Sequence, residues 1–204
     1  MTQPVNVAIT GGIGAGKSSA LDAFEQHGAA VISSDEIVHE LLREDDDVKR
    51  AIAERFGTRV LDDEGEIDRG AVASIVFSDR AELTWLEELL HPIVSAAYLR
   101  WRDLVAELDE PPEVCVTEVP LLYESGSDQY FDVVVALTAA PEVRASRSIA
   151  PDAGLREKRL LSDEEKLERA DFAYVNDGSL EELDAFVREV LDAVTRTKPG
   201  CAAD

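Results

Sequence analysis

Residues 5–18 read VNVAITGGIGAGKS, a short run rich in β-branched residues that ends abruptly in glycines. Such a run is typical of a buried strand that leads into a tight turn. Residues 18–26 fit a helix with Ala20, Leu21 and Phe24 on one face, and Gly28 ends it before a second apolar run at 29–32. We therefore predict a strand, a glycine-rich loop, a helix and a second strand, in that order.

The glycine-rich loop matches the pattern G-x-x-x-x-G-K-[ST] at every fixed position, and it lies between a predicted strand and a predicted helix, as that pattern requires. Glycines let backbone N–H groups turn inward around phosphates, and the start of the helix adds partial positive charge. Lys17 can reach the β and γ phosphates of a nucleotide, and Ser18 can bind Mg²⁺. The other interpretation is a glycine-rich turn that binds nothing. The predicted nucleotide-binding residues are Gly11, Gly12, Ile13, Gly14, Ala15, Gly16, Lys17, Ser18 and Ser19.

Beyond the second strand the chain changes character. From residue 35 to about 109, apolar residues repeat at helical spacing, which predicts a helical insertion. Apolar strands follow at 114–119, 133–137 and, more weakly, 172–175, and a final amphipathic helix from residue 180 is predicted to be capped at Ser179. Strands that alternate with helices predict a parallel sheet. Residues after about 195 are expected to form a loose tail.

The composition argues against several classes of function. The 204 residues carry 20 Lys and Arg against 43 Asp and Glu, a net charge of −23, and such a field repels nucleic acids and anionic lipid surfaces. No apolar run approaches the ~18 residues of a membrane span, and the first residues lack a signal-peptide pattern. We therefore expect a cytoplasmic protein with no nucleic-acid or membrane partner. Cys115 is predicted to pack in the core and Cys201 to be exposed in the tail, with no disulfide framework.

The motifs also separate classes of nucleotide-binding proteins. The chain has no Asn-Lys-x-Asp to read guanine, and its one Asp-x-x-Gly, at 62–65, falls in a polar turn of the insertion. It is too short for a P-loop core with the partner modules of a motor, so a small-molecule kinase remains. Asp35 follows the second strand at the carboxyl edge of the sheet, where it can accept a hydroxyl proton and orient the attacking oxygen. Alternatively, Asp35 caps a helix that begins at Glu36.

Five stretches of the chain, in family order, resemble the dephospho-coenzyme A kinase family. Two of them, Leu-His-Pro at 90–92 and Pro-Leu-Leu-Tyr-Glu at 120–124, are specific to that family at these separations, whereas the glycine loop alone is generic. The resemblance covers nearly the whole chain. The stretches are 10–18, 34–38, 90–92, 119–124 and 176–183.

The resemblance implies ATP- and Mg²⁺-dependent phosphorylation of the ribose 3′-hydroxyl of dephospho-coenzyme A, giving coenzyme A and ADP. It implies an α/β, three-layer P-loop fold with a five-stranded parallel sheet. Residues 1–34 and 111–196 would form the nucleotide-binding core, with a short lid at about 144–160. Residues 35–110 would form the helical acceptor-binding insertion, and residues 197–204 a flexible tail. The partner would be the small-molecule substrate, and the chain a monomer or a weak homo-oligomer.

The resemblance also assigns roles to residues. The catalytic residues would be Asp35 as the base, Lys17 and Arg147. Glu118 stands where the family more often has Asp, and it would hold a Mg²⁺-bound water beside Ser18. Two structural alternatives remain: His91 begins a helix before Pro92, or Glu118 caps the end of its strand. The adenine would lie against Asn176, Gly178 and Ser179, and the acceptor against Asp35, His91, Pro120 and Leu121.

The lid departs most from the family pattern. The segment after Arg147 is shorter here, and Leu160 replaces a glutamine. Even so, residues 144–159 hold five basic and two acidic side chains, a positive island that suits a γ-phosphate, with Arg147 neutralising charge on the transferred group. The other interpretation is a solvated helix face, which suits Lys158 and Arg169 better than Arg147. The five basic residues are Arg144, Arg147, Arg156, Lys158 and Arg159.

Two other functions stay open on the sequence alone. One is a kinase of the same fold that phosphorylates another small alcohol, such as a nucleoside, a sugar or shikimate. The other is a regulatory protein that binds a nucleotide without turnover, for which the shortened lid is the only support.

Overall fold

The fold is that of a computed structural model, which describes residues 3–147 and 161–196. The described part of the chain divides into two compact units, Met1–Ser33 with Arg100–Asp204 and Ser34–Leu99. The predictions for the lid segment 148–160, for the tail 197–204 and for Cys201 lie outside the described residues. No helix among the described residues is both long enough and apolar enough to cross a membrane.

The first unit contains a five-stranded parallel sheet in the order β2-β3-β1-β4-β5. Its strands lie within two residues of the predicted bounds, so the predicted sheet and its parallel sense are confirmed. The sheet places the ends of β1, β2 and β3 side by side, because Glu118 pairs with both Ile9 and Ser33. The strands are β1 Val5–Gly11, β2 Ala30–Ser33, β3 Val114–Glu118, β4 Val133–Thr138 and β5 Phe172–Val175.

Apolar side chains cover both faces of this sheet, which explains why its central strands read as continuous apolar runs. Alternate residues of a strand point to opposite faces, so Val7 and Ile9 pack in one cluster and Ala8 in the other. The helices α1 Lys17–Gln26 and α8 Leu180–Arg196 cover the first face. On the second face, Leu122 and Tyr123 pack against the strands. The predicted three-layer arrangement is thereby confirmed, and Cys115 is buried in the sheet as expected.

Two short helices follow β4 and precede β5 along the chain. They are α6 Pro141–Arg147 and α7 Asp163–Arg169, and a 3₁₀ turn spans Ser127–Tyr130. Ser162 begins α7 with a capping box, since its hydroxyl accepts from the Glu165 amide and the Glu165 carboxylate accepts from the Ser162 amide. Ser179 caps α8 in the same way with Glu182, which confirms the predicted cap.

The second unit is helical, as the spacing of its apolar residues predicts. Its elements are α2 Ser34–Glu44, α3 Asp46–Phe56, a 3₁₀ turn at Thr58–Val60, α4 Arg69–Ser78 and most of α5 Arg80–Ala106. Ile52 and Val60 are fully buried in its core, and the ring of Trp85 meets that of Phe56 edge-on at 5.3 Å. Asp62 begins the predicted polar turn by accepting the amides of Glu64 and Glu66.

Candidate active site

The glycine loop joins the end of β1 to the start of α1, as the sequence predicts. Gly14 and Gly16 have φ angles of 76° and 91°, in the region that glycine adopts without steric cost. A Cβ on Gly16 would lie 2.1 Å from Nδ2 of Asn176, and a Cβ on Gly14 would lie 2.7 Å from the carbonyl oxygen of Arg144. The loop therefore needs glycine at both positions, for its backbone conformation and for the closeness of its neighbours.

The loop presents backbone amides that the described protein does not use. Among the described residues, none accepts a hydrogen bond from the amides of Ile13, Gly14 or Gly16. The first turn of α1 adds further amides that have no acceptor within the helix. Such a cluster of N–H groups at a helix N-terminus binds anions, so the backbone present here fits a polyphosphate.

Lys17 and Glu118 lie close together at the carboxyl edge of the sheet. The Lys17 ammonium donates to the carbonyl oxygen of Gly12 at 3.2 Å, and its Nζ lies 3.8 Å from Oε1 of Glu118. Glu118 ends β3 and is only 6% exposed, and the hydroxyl of Ser33 donates to its Oε2 at 3.4 Å. A positive and a negative side chain thus meet beside the loop, each placed by the end of a different element.

Arg144 and Arg147, on successive turns of α6, both contact the region of the loop. Arg144 donates from Nε to the carbonyl oxygen of Ile13 at 3.0 Å and forms an ion pair with Asp163. Arg147 donates from Nη1 to the carbonyl oxygen of Asn176 at 2.9 Å, and that nitrogen lies 3.7 Å from the position of a Cβ on Gly16. Two of the five basic residues predicted near the phosphate site thus lie beside the loop, and one of them, Arg144, is paired with a carboxylate.

The stretch predicted to line the adenine begins beside the loop, at Asn176, which also binds Arg147. Asn176 is 4% exposed, and its Nδ2 donates to the carbonyl oxygen of Ala15 at 3.0 Å. Gly178 and Ser179 are exposed at the start of α8, where a Cβ on Gly178 would collide with the carboxylate of Glu182. Asn176 thus contacts the backbone of the loop, while Gly178 and Ser179 are exposed to solvent.

Pro120 and Leu121 follow β3, and a buried lysine fixes the first of them. The carbonyl oxygen of Pro120 accepts from the hydroxyl of Thr10 at 3.3 Å and from Nζ of Lys166 at 3.2 Å. Lys166 is 1% exposed and pairs with Glu124 at 3.0 Å. The loop after β3 is therefore tied both to β1 and to α7.

Asp35 and His91 lie in the second unit. Asp35 is the second residue of α2 and is exposed, and its carboxylate accepts no hydrogen bond from the described residues of its own unit. Because α2 begins at Ser34, the alternative of an Asp35 cap is wrong. His91 is half-buried inside the continuous helix α5, so the alternative that it begins a helix is also wrong.

Comparisons with known proteins agree along most of the chain. The model of the family described as Dephospho-CoA kinase matches residues 5–182. The chain belongs to the dephospho-CoA kinase family. A protein of Streptomyces avermitilis with that name is 37% identical over 206 residues, which cover 96% of this chain and 98% of the relative. One of Protochlamydia amoebophila is 35% identical over 190 residues, covering 90% of this chain and 93% of the relative. A crystal structure from Thermus thermophilus superposes with a TM-score of 0.76 at 30% identity, covering 95% of this chain and 99% of that one.

Family membership confirms several of the predictions. The resemblance to dephospho-CoA kinases, the P-loop α/β fold and the enzyme class, a kinase, are all confirmed. The individual site residues stay predictions. Arg169 lies on an exposed helix face, as expected, and its guanidinium also lies 3.9 Å from the centre of the Tyr123 ring and pairs with Asp128. Burial also raises the pKa of the Tyr123 hydroxyl.

The donors predicted for Mg²⁺ are Ser18, in the first turn of α1, and Glu118. Within residues 3–147 and 161–196, no group of three or more His, Cys, Asp or Glu side chains could hold a metal ion. Mg²⁺ in a kinase keeps several waters and binds one or two protein oxygens together with substrate phosphates. A hydroxyl and a carboxylate beside a phosphate-binding loop fit that requirement.

Sequence reasoning missed four residues at this site. Ser33, Asp163 and Lys166 were not singled out, and Arg144 was noted only as part of a basic segment. No local pattern marks Lys166, because lysine is rarely buried and Ala170, four residues later, is only partly buried. The others meet partners far away along the chain, as Arg144 does with Ile13, and no local pattern marks such contacts.

Proposed function

We propose that this protein transfers the γ-phosphoryl group of ATP to the ribose 3′-hydroxyl of dephospho-coenzyme A, giving coenzyme A and ADP. The observation that carries the proposal is a complete phosphate-binding loop in a chain that the dephospho-CoA kinase model matches over residues 5–182. The loop amides and Lys17 bind the triphosphate of ATP. Most of the rate enhancement then comes from positioning and electrostatics, because phosphoryl transfer needs little covalent chemistry from the protein.

The metal ion would be held by Ser18 directly and by Glu118 through a bound water. When bound, Mg²⁺ would neutralise charge that develops on the phosphates during transfer. Glu118 supports this role because it is buried, is oriented by the Ser33 hydroxyl and lies near Lys17.

Asp35 accepts the proton of the acceptor hydroxyl as it attacks. Its position two residues after β2 and its exposed carboxylate, which has no structural partner in its own unit, support the assignment.

Arg147 stabilises the transition state by neutralising charge on the equatorial oxygens of the transferred group. Its Nη1 already lies beside Gly16, which supports this assignment. The basic residues Arg156, Lys158 and Arg159, which lie outside the described residues, would add to the positive potential.

The acceptor would occupy the helical insertion, residues 35–110, with contacts from His91, Pro120 and Leu121. The adenine of ATP would lie against Gly178 and Ser179, which are exposed. For Asn176, the buried contact with Ala15 favours support of the loop over direct contact with the base.

The partners follow from the same proposal. They would be small molecules only, with no nucleic acid or membrane, since the net charge of −23 repels anionic surfaces. We further propose a cytoplasmic monomer or weak homo-oligomer.

The proposal is tested by measuring ADP formation with a panel of acceptors: dephospho-coenzyme A, adenosine, a hexose, shikimate and no acceptor. We expect turnover with dephospho-coenzyme A to exceed every other rate by about 10²-fold or more, since uncontacted acceptors lose the binding energy that positions the hydroxyl. Faster turnover with another alcohol would favour the second kinase hypothesis, and ATP binding without turnover would favour the regulatory one. Neither is favoured now, because the relatives that match along the chain are named dephospho-CoA kinases.

A further inference from the structure

Two side chains from other elements each donate a hydrogen bond to a backbone carbonyl oxygen of the phosphate-binding loop. Nε of Arg144 donates to the carbonyl oxygen of Ile13, and Nδ2 of Asn176 donates to the carbonyl oxygen of Ala15, both at 3.0 Å. The two carbonyls are two residues apart, and the two side chains come from different elements, α6 and the residue after β5.

The geometry of the peptide bond gives these contacts a consequence. In a planar trans peptide, the C=O of one residue and the N–H of the next point in opposite directions. The described chain contains no cis peptide bond, so anchoring the Ile13 carbonyl turns the Gly14 amide away from Arg144, and anchoring the Ala15 carbonyl turns the Gly16 amide away from Asn176. No described residue accepts a hydrogen bond from either amide.

We propose that Arg144 and Asn176 are positioning residues that aim the Gly14 and Gly16 amides at the nucleotide phosphates. Glycine tolerates many backbone conformations, so a loop of glycines does not hold its amides in one direction by itself. Two external hydrogen bonds supply that order before the nucleotide arrives, which lowers the entropy cost of binding. The inference rests on the proposed function only in requiring that the loop binds a nucleotide.

Arg144 is itself held on two sides. Its guanidinium pairs with Asp163, and the hydroxyl of Thr138 donates to the same carboxylate at 2.6 Å. The pair packs directly against the loop, since a Cβ on Gly12 would lie 3.1 Å from Oδ1 of Asp163 and 3.2 Å from Cζ of Arg144. Because a guanidinium offers several donors in a fixed fork, Arg144 can bind Asp163 and Ile13 together, whereas lysine has a single ammonium.

Asn176 is anchored through its backbone. Its amide donates to the carbonyl oxygen of Thr138 at 2.7 Å, and its carbonyl oxygen accepts from Arg147. Thr138, at the end of β4, therefore supports both contacts with the loop, one through its hydroxyl and one through its carbonyl. The sheet edge thus fixes the loop through two chains of hydrogen bonds that both start at Thr138.

The experiment combines ADP binding with NMR of the full chain labelled with ¹⁵N-glycine, in the presence of Mg²⁺. In the unaltered chain we expect the Gly14 and Gly16 amide resonances to shift strongly on ADP binding. Arg144→Met should raise the Kd of ADP about tenfold and reduce the Gly14 shift by at least half, while the Gly16 shift persists. Asn176→Ala should do the reverse to the two shifts.

Three further variants complete the test. Arg144→Lys should recover part of the affinity, and Asp163→Asn, which leaves both loop contacts in place, should raise the Kd only about threefold. Arg188→Met removes an exposed arginine of α8, which pairs with Asp184, and should change nothing. If Asn176→Ala does not fold, the comparison of the Gly14 and Gly16 shifts between two variants is lost. The test then rests on the order of ADP Kd values in Arg144→Met, Arg144→Lys and Asp163→Asn.

Unchanged affinity and unchanged shifts in folded Arg144→Met would overturn the inference. The inference would also be overturned if each variant lost the Gly14 and Gly16 shifts equally and had a lower Tm. That result would mean that Arg144 and Asn176 support the fold in general. ADP binding without phosphorylation of dephospho-coenzyme A would instead overturn the proposed function and leave the positioning roles intact.

Discussion

The two units of the chain hold their proposed functional residues in different ways. In the first unit, the side chains around the loop contact other elements: Lys17 lies near Glu118, Arg144 pairs with Asp163, and Asn176 binds the loop itself. In the second unit, Asp35 is exposed at the start of α2 with no hydrogen bond from its own unit. The side chains around the loop are thus held by other residues, whereas the proposed base makes no such contact in its own unit. Substitutions in the two units should therefore have different effects on stability and on turnover.

The largest effect is expected at the loop. Lys17→Ala should lower kcat about 10³-fold or more, because removing a charge that contacts the transferred phosphates removes transition-state stabilisation. The fold should persist, since Lys17 does not pack in the apolar core. Steady-state kinetics and circular dichroism check both points, and near wild-type turnover would refute the assignment of the loop.

The second unit should respond in turnover alone. Asp35→Asn keeps the shape of the side chain and removes the base, so kcat should fall about 10²-fold or more while the KM for ATP and the Tm change little. Asp45→Asn, at the cap of α3, is a matched control in the same unit and should leave kcat unchanged. A drop in Tm without a drop in kcat would contradict the role of Asp35 as base.

The first unit should respond in stability when its buried ion pair is broken. Lys166→Met leaves Glu124 unpaired and frees the Pro120 carbonyl, so the free energy of unfolding should fall by about 3 kcal/mol. Replacing both partners, with Glu124→Leu added, should restore much of this loss. Urea denaturation measures it, with Arg196→Ala as the control, because the Arg196–Asp192 pair is exposed and should contribute under about 0.5 kcal/mol.

In the lid region, we expect a smaller loss of kcat than at Lys17. Arg147→Ala should lower kcat about 10²-fold with little change in the Kd of ATP, because its charge stabilises the transition state more than bound ATP. Arg169→Ala removes the contact with Tyr123 and should change kcat less than threefold while it lowers stability by about 1 kcal/mol. Equal, small effects on kcat at both arginines would mean that Arg147 has no catalytic role.

Local patterns predicted most of the fold. The five strands, α1, α8 and the loop follow from apolar runs and glycine spacing, since each pattern lies within one short segment. Two interpretations failed at helix boundaries: α2 begins one residue before Asp35, and α5 continues through Pro92. The second failure has a physical cause, because proline removes only one helical hydrogen bond while Leu86, Leu90 and Ile93 continue the apolar stripe across it.

The candidate site was only partly predictable, because many of its contacts join residues that are far apart along the chain. The loop has a motif, but its supports come from afar: Asn176 meets Ala15 across 161 positions, and Arg144 meets Ile13 across 131. Lys166 was missed because lysine is rarely buried. Its ion pair with Glu124 and its hydrogen bond to Pro120 compensate for the cost of burying the charge. Motifs identify groups that meet the ligand, whereas groups that hold those motifs emerge only from the packing.

The central claim is that this chain phosphorylates dephospho-coenzyme A at its ribose 3′-hydroxyl. The most direct measurement incubates the full chain with MgATP and dephospho-coenzyme A and locates the new phosphate by ³¹P and ¹H NMR. We expect a phosphomonoester on the 3′ oxygen, formed in equal amount with ADP and absent with Lys17→Ala. A phosphate at any other position, or ADP formed at the same rate without the acceptor, would contradict the account.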